Sequence, residues 1–188
     1  MRLFLALELG DELLDGLEQA VSRLREEFPE FGWVAPRKRH LTLKFLGDVD
    51  ERRAGAVASA CEAVSSRHRP FSMEVGGFGA FPSFRRARVL WVGVQQEARL
   101  ELLHHDVEVA CDAIGFEVEG RAFRPHITLA RVRSVLDVER HKHLARVAKR
   151  IDFSATAPIE EITVFESTLS RGGSSYRRVH VATLQGGH

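Results

Sequence analysis

The tetrapeptide His40-Leu41-Thr42-Leu43 returns as His126-Ile127-Thr128-Leu129, displaced by 86 residues (126 − 40 = 86). A motif repeated at nearly half the chain length suggests a fold built from two similar parts. On a β-strand, side chains alternate between faces, so His40 and Thr42 share one face and Leu41 and Leu43 the other. The second copy sorts the same way. A strand with its aliphatic face on the core can therefore present an imidazole and a hydroxyl to a cleft. Nine His and six Thr in 188 residues give about 0.3 His-x-Thr triplets by chance (9 × 6 / 188). One copy would read as an ordinary half-buried strand with a satisfied histidine. Two copies, each with an aliphatic middle residue and a following Leu, read as two halves of a site.

The remaining pattern supplies an α+β framework. Leu3 to Leu9 is an apolar run suited to a buried first strand. Asp11 is the expected N-cap of a helix carrying Leu13, Leu14, Leu17, Val21, Leu24 and Phe28 on one face. The His40 strand ends at Leu46-Gly47-Asp48, and Asp50 starts a second helix to about Ser66. A strand is expected from Phe71 to Phe78, then a loop rich in Gly, Phe and Arg to Arg88, then a strand at Val89–Val94. Helices are expected at Glu97–Ile114 and Asp137–Arg150, on either side of the His126 strand. Three last strands are expected at Ile151–Ala155, Ile159–Ser167 and Tyr176–Leu184, with a hairpin loop at Ser170–Ser175 and a loose tail at Gly186–His188. The expected architecture is two pseudo-symmetric lobes, each an antiparallel-rich sheet with outer helices, facing across a central cleft. The chain is read as a single two-lobed domain of 188 residues.

Composition narrows the function classes. A net charge of +1 argues against a protein that coats nucleic acid by bulk electrostatics. Of its 27 basic residues 23 are Arg, whose planar fork suits phosphate, although an Arg-rich composition also follows from base bias. No apolar run approaches a membrane span, and Met1–Glu8 reads as a strand rather than a signal segment, so a cytoplasmic protein without membrane association is expected; its single-domain length and the absence of a further apolar stripe point to a monomer. Cys61 and Cys111 lie in helical patterns and read as buried free thiols. No carboxylate cluster marks a metal site. His104, His105, His141 and His143 read as solvated helix residues, since neighbours at i+1 and i+2 do not share a helical face.

Two histidines across a cleft suit acid–base catalysis, because imidazole titrates near neutrality and one ring can accept a proton while the other donates. A threonine two residues on can hold a non-bridging oxygen. The set fits in-line displacement at phosphorus, with charge on the phosphoryl oxygens met by hydroxyls and arginine. A cyclic phosphate fits well, because its leaving oxygen stays attached.

Three stretches carry a resemblance: His40-Leu41-Thr42-Leu43-Lys44-Phe45-Leu46-Gly47, Phe81-Pro82-Ser83-Phe84-Arg85-Arg86-Ala87-Arg88-Val89-Leu90-Trp91, and Arg124-Pro125-His126-Ile127-Thr128-Leu129-Ala130-Arg131. Through them, and on to Phe165-Glu166-Ser167 and Tyr176, the chain resembles the RNA 2′,3′-cyclic phosphodiesterases, also called 2′–5′ RNA ligases, of the two-histidine phosphoesterase superfamily. The resemblance implies hydrolysis of RNA 2′,3′-cyclic phosphate ends, or of a cyclic nucleotide, to 2′-phosphates with no metal or other cofactor. It implies His40 as proton donor, His126 as proton acceptor, and Thr42, Thr128 and Arg131 as phosphate ligands. Two alternatives are the reverse reaction, 2′–5′ joining of tRNA halves, and a non-catalytic module that binds an RNA end. Strand alternation alone puts Arg131 on the wrong face from His126, so the strand must end or bulge there. It puts Phe45 on the core face, where stacking on a base requires that the strand has ended. Phe84, Arg85 and Arg86, in a loop, are expected to be free to meet a nucleotide by stacking or charge.

Overall fold

The computed structural model describes residues 1–171 and 173–186. The chain runs β1 (Arg2–Glu8), α1 (Asp11–Glu27), β2 (Gly32–Trp33), β3 (His40–Asp48), α2 (Glu51–Ser65), β4 (Phe71–Phe81), β5 (Val89–Val94), α3 (Ala98–Ala113), β6 (His126–Arg131), α4 (Val138–Lys149), β7 (Ser154–Ile159), β8 (Glu161–Ser170) and β9 (Gly173–Thr183). Short 3₁₀ turns occupy Pro36–Lys38 and Phe84–Arg86.

The strands lie in the order β7-β4-β5-β6-β3-β1-β8-β9, with β2 beside β6. Every pairing is antiparallel. Two four-stranded halves, β7-β4-β5-β6 and β3-β1-β8-β9, meet at one registered pair, Leu41 opposite Ile127. Helices α2 and α3 cover the second half, and α1 and α4 cover the first. The expected α+β fold of two helix-backed antiparallel lobes is therefore present, with the two sheets joined at that seam. Helix α3 repeats α1 and α4 repeats α2, each displaced by 87 residues (98 − 11 and 138 − 51). Helix α1 follows β1 in sequence but packs on β7, and α3 follows β5 but packs on β3. Each half of the chain thus hands its first helix to the opposite lobe, and no single cut separates the lobes.

Strand β1 explains its unbroken apolar sequence. Leu3, Leu5 and Leu7 join the main core, while Phe4 and Ala6 form a second small cluster with Phe165, packed against Tyr176. A central strand covered on both faces needs no polar alternation.

Local chemistry sets the boundaries. Asp50 and Asp137 cap α2 and α4, accepting from the backbone N–H groups of Arg53 and Arg140. Asp11 does not cap α1: Gly10 is the N-cap, and Asp11 places its charge in the first turn. Strand β4 continues through the glycines expected as loop, because Gly77 (φ +75°) bulges it while Gly79 lies flat under the Trp91 ring, leaving no room for a Cβ. Strand β7 starts at Ser154, later than expected, since Ile151 and Phe153 pack against the core instead. Its Pro158 is accommodated because β7 is an edge strand. Gly186 is tied down, its N–H donating to the His68 carbonyl at 2.9 Å, and the rest of the expected tail lies outside the described residues.

Candidate active site

The seam between the lobes puts the two motifs side by side. An antiparallel register centred on Leu41 and Ile127 sets His40 across from Thr128 and Thr42 across from His126. Leu41, Leu43, Ile127 and Leu129 are buried in the core. His40, Thr42, His126 and Thr128 all line one cleft of about 320 Å³. A terminal nucleotide needs a pocket on this scale.

Both imidazoles are held alike. His40 Nδ1 lies 2.9 Å from the carbonyl of Lys38, and His126 Nδ1 lies 2.7 Å from the carbonyl of Arg124. A carbonyl only accepts, so each Nδ1 donates, and the neutral ring keeps its lone pair on Nε2 for the cleft. Rings fix the remaining freedom. Phe4 lies 4.9 Å from His40, with Tyr176 edge-on at 5.4 Å, and Phe81 stands edge-on to His126 at 4.8 Å. Burial lowers the pKa of both imidazoles, so both are neutral near pH 7 in the free protein. Their charged surroundings differ. Glu8 pulls the His40 pKa back up, whereas Arg124 and Arg131 push that of His126 further down.

Two bulges complete the cleft. Opposite β5, Leu90 pairs with Ala130 and Trp91 with Thr128, so Leu129 is an extra residue in β6. Leu129 and Ala130 are both buried, and alternation resumes with Arg131 on the cleft face beside Thr128. The required break is therefore a bulge rather than the end of a strand. Strand β3 does the same at Leu43: Leu5 pairs with Lys44 and Ala6 with Thr42. Lys44 turns into the core, and Phe45 emerges beside the cleft, 70% exposed. Alternation alone had assigned Phe45 to the core. The strand has not ended at Phe45, since β3 runs to Asp48, yet the bulge reverses its face. The two bulges stand at equivalent places in the repeat, and they deliver a cation on one side and an aromatic ring on the other.

Residues 7–91 and 92–176 each match the model of one family, described as LigT-like phosphoesterase. This chain belongs to the LigT-like phosphoesterase family. An RNA 2′,3′-cyclic phosphodiesterase of Thermotoga maritima is 30% identical over 189 aligned positions, covering 100% of this chain and 97% of the relative. One of the same name from Geobacillus stearothermophilus is 36% identical over 68% of this chain, but that match covers 41% of the relative's length. The crystal structure of a Thermus thermophilus protein superposes with a TM-score of 0.84 at 27% identity over 100% of both chains. E. coli LigT in complex with 3′-AMP superposes with a TM-score of 0.75 at 26% identity over 98% of each.

Other cleft residues of this LigT-like chain escape motif reading. Phe4 comes from β1, Ser167 and Leu169 from β8, and Ser174 and Tyr176 from β9. Lys38 reaches across the cleft rim to donate to the Ser174 carbonyl at 2.8 Å. Among these, Ser167, Leu169 and Tyr176 stand in or beside the stretches of family resemblance, whereas Phe4 and Ser174 carried no signal.

The Phe84–Arg86 turn sits elsewhere. Phe84 packs against the core with Lys149 Nζ 5.9 Å from its ring, and Arg85 and Arg86 line a separate depression with Arg133. None of the three lines the histidine cleft. Trp33 covers the core and donates from Nε1 to the Phe28 carbonyl at 2.9 Å. His104 and His143 are not simply solvated. His104 stacks on Phe123 at 3.8 Å, and His143 pairs with Glu27. Cys61 and Cys111 are buried free thiols, with burial pushing them up to about 12 and about 11. Among the described residues, no three His, Cys, Asp or Glu side chains group as metal ligands, and no helix is long and apolar enough to cross a membrane.

Proposed function

We propose that this chain hydrolyses RNA 2′,3′-cyclic phosphate ends to 2′-phosphates, with His40 as acid and His126 as base. The observation that carries the reading is the matched pair of imidazoles, each anchored through Nδ1 with Nε2 left to one shared cleft. Water gives its proton to His126 Nε2 as its oxygen bonds to phosphorus. The bond from phosphorus to O3′ breaks, and O3′ takes a proton from His40 Nε2. The 2′-phosphate remains. Thr42 and Thr128 donate to non-bridging oxygens, and Arg131 meets the charge that builds on them. Phe45, exposed beside the cleft, stacks on the base in this reading. A bound phosphate anion raises the affinity of both rings for protons. Glu8 favours holding that proton on His40, while Arg124 and Arg131 favour a neutral His126. The names of the Thermotoga and Geobacillus relatives, and the 3′-AMP bound by E. coli LigT, support this substrate class.

The pair supplies both proton transfers from protein groups, so turnover is proposed to need no metal and to survive EDTA. The interleaved lobes support one catalytic unit. The large exposed apolar side chains divide between the cleft (Phe45, Leu169), the adjoining groove (Val118), α3 (Leu102, Val109) and the approach to and start of α4 (Val135, Val138), which supports a monomer, to be checked by light scattering. Two free thiols close enough for Cys111 to raise the pKa of Cys61 support a reducing, cytoplasmic setting. The deciding experiment is hydrolysis of a 2′,3′-cyclic nucleotide with products resolved. His40→Ala and His126→Ala should each cost about 10²–10⁴-fold in kcat. Intact turnover in either variant, or a 3′-phosphate product, defeats the assignment.

A further inference from the structure

The histidine cleft is not closed at the Phe45 end. It shares Thr42, Phe45 and His126 with a larger groove of about 930 Å³. That groove in turn shares Pro82 and Arg88 with a third depression of about 480 Å³, next to the Phe84–Arg86 turn. The three hollows form one continuous track leading away from His126.

The track is lined by arginines without counter-ions. Arg121, Arg124 and Arg88 border the groove, and Arg85, Arg86 and Arg133 border the depression beyond it. Among the described residues, none of these six guanidinium groups makes an ion pair or a hydrogen bond; Arg124 lies over the Phe81 ring at 4.7 Å. The opposite way out of the cleft, past His40, is different. There Arg37 is held by Asp11 and Asp15 at 2.9 and 3.0 Å, Arg39 by Glu18 at 2.6 Å, and Arg178 by Glu8 at 2.8 Å. The three arginines on that side are spent on the protein's own carboxylates, and Lys38 donates to the Ser174 carbonyl, whereas the arginines along the track are free for an external anion. The groove also carries exposed Glu117 and Glu119 at one wall, which repel phosphate and confine a polyanion to the arginine side.

Covalent chemistry supplies the direction. A 2′,3′-cyclic phosphate is a 3′ terminus, so the rest of the RNA leaves the cleft only on its 5′ side and needs one track. Resting on the activity proposed above, we propose that this arginine-lined track binds the phosphodiester backbone of the nucleotides 5′ to the cyclic end. Groove arginines take the first phosphates, and Arg85, Arg86 and Arg133 take those further along. Guanidinium forks match phosphate oxygens two at a time.

The test compares a 2′,3′-cyclic mononucleotide with a single-stranded oligoribonucleotide of about ten residues ending in the same group, a length on the scale of known single-strand sites. The variant is R85A/R86A/R133A. The control is R23A/R52A/R67A, which removes equal charge from α1, α2 and the turn after α2. The track variant should raise KM for the oligonucleotide about tenfold or more and lower the slope of log KM against log[KCl] by about 2, at about 0.7 per arginine. Its kcat, and its KM for the mononucleotide, should match the wild type, as should both constants of the control. An unchanged oligonucleotide KM, or an equal rise in the control, overturns the track. Fluorescence anisotropy of the oligonucleotide reads its affinity without turnover. If the wild type hydrolyses neither substrate, the catalytic reading fails, and anisotropy still decides the track by the same comparison.

Discussion

Lys44→Met should be among the most damaging substitutions outside the cleft. The Leu43 bulge turns Lys44 inward until it is 6% exposed. Its Nζ donates to Glu108 Oε2 on α3 at 2.6 Å and to the Glu117 carbonyl at 2.8 Å. Glu108 Oε2 also accepts from the Glu119 N–H at 3.0 Å. Methionine fills most of the lysine volume but leaves the buried Glu108 carboxylate facing only His104 Nε2, 3.7 Å from Oε1, an imidazole whose pKa burial lowers. Breaking a buried ion pair from one side costs about 3–5 kcal/mol, against total stabilities of about 5–15 kcal/mol. With a urea slope of about 2 kcal/mol per molar, the midpoint should fall by about 1.5–2.5 M. Replacing both charges, in K44M/E108M, removes the stranded carboxylate and should recover at least about 2 kcal/mol relative to K44M, losing the acceptor for Glu119 and the carboxylate beside His104. Urea titrations followed by far-UV circular dichroism at pH 7 measure all three proteins. A K44M loss below about 1 kcal/mol, or a double variant no better than K44M, refutes the reasoning. The same tie pins the segment leading to Arg124, whose carbonyl orients His126. Folded K44M should therefore lose kcat as well as stability.

The pH–rate profile of kcat/KM should be bell-shaped and displaced to the acid side, because burial lowers both histidine pKa values below 6.5. Arg131→Gln removes a charge that lowers the His126 pKa, so the base protonates at higher pH and the acid limb should move up. Glu8→Gln removes the charge that raises the His40 pKa, so the acid loses its proton at lower pH and the alkaline limb should move down; limbs that stay fixed in both variants refute the assignment of roles. Phe45→Ala should raise KM for a cyclic nucleotide about 10–100-fold, the worth of one aromatic–base stack, with little change in kcat. Because Phe45 is largely exposed, its melting temperature should hardly move, and a large drop there marks a structural role instead.

Much of this arrangement was legible in the chain itself. The repeat announced two related lobes, and alternation within each tetrad separated His and Thr from their aliphatic neighbours. Helices showed because amphipathic spacing and capping residues act within a few positions. What alternation missed lies just past each tetrad. A bulge depends on the strand alongside, here β1 for Leu43 and β5 for Leu129, and neither is a sequence neighbour of the strand it bends.

The linear sequence by itself determined that two imidazoles and two hydroxyls would share strand faces, because side-chain period is a local property of the backbone. Only tertiary structure decided that Phe45 and Arg131 join them, that Lys44 goes inward, and that Tyr176 closes the cleft from 136 residues beyond His40 (176 − 40 = 136). It also decided which arginines keep a carboxylate and which face solvent, since an ion pair depends on where the chain brings its partner.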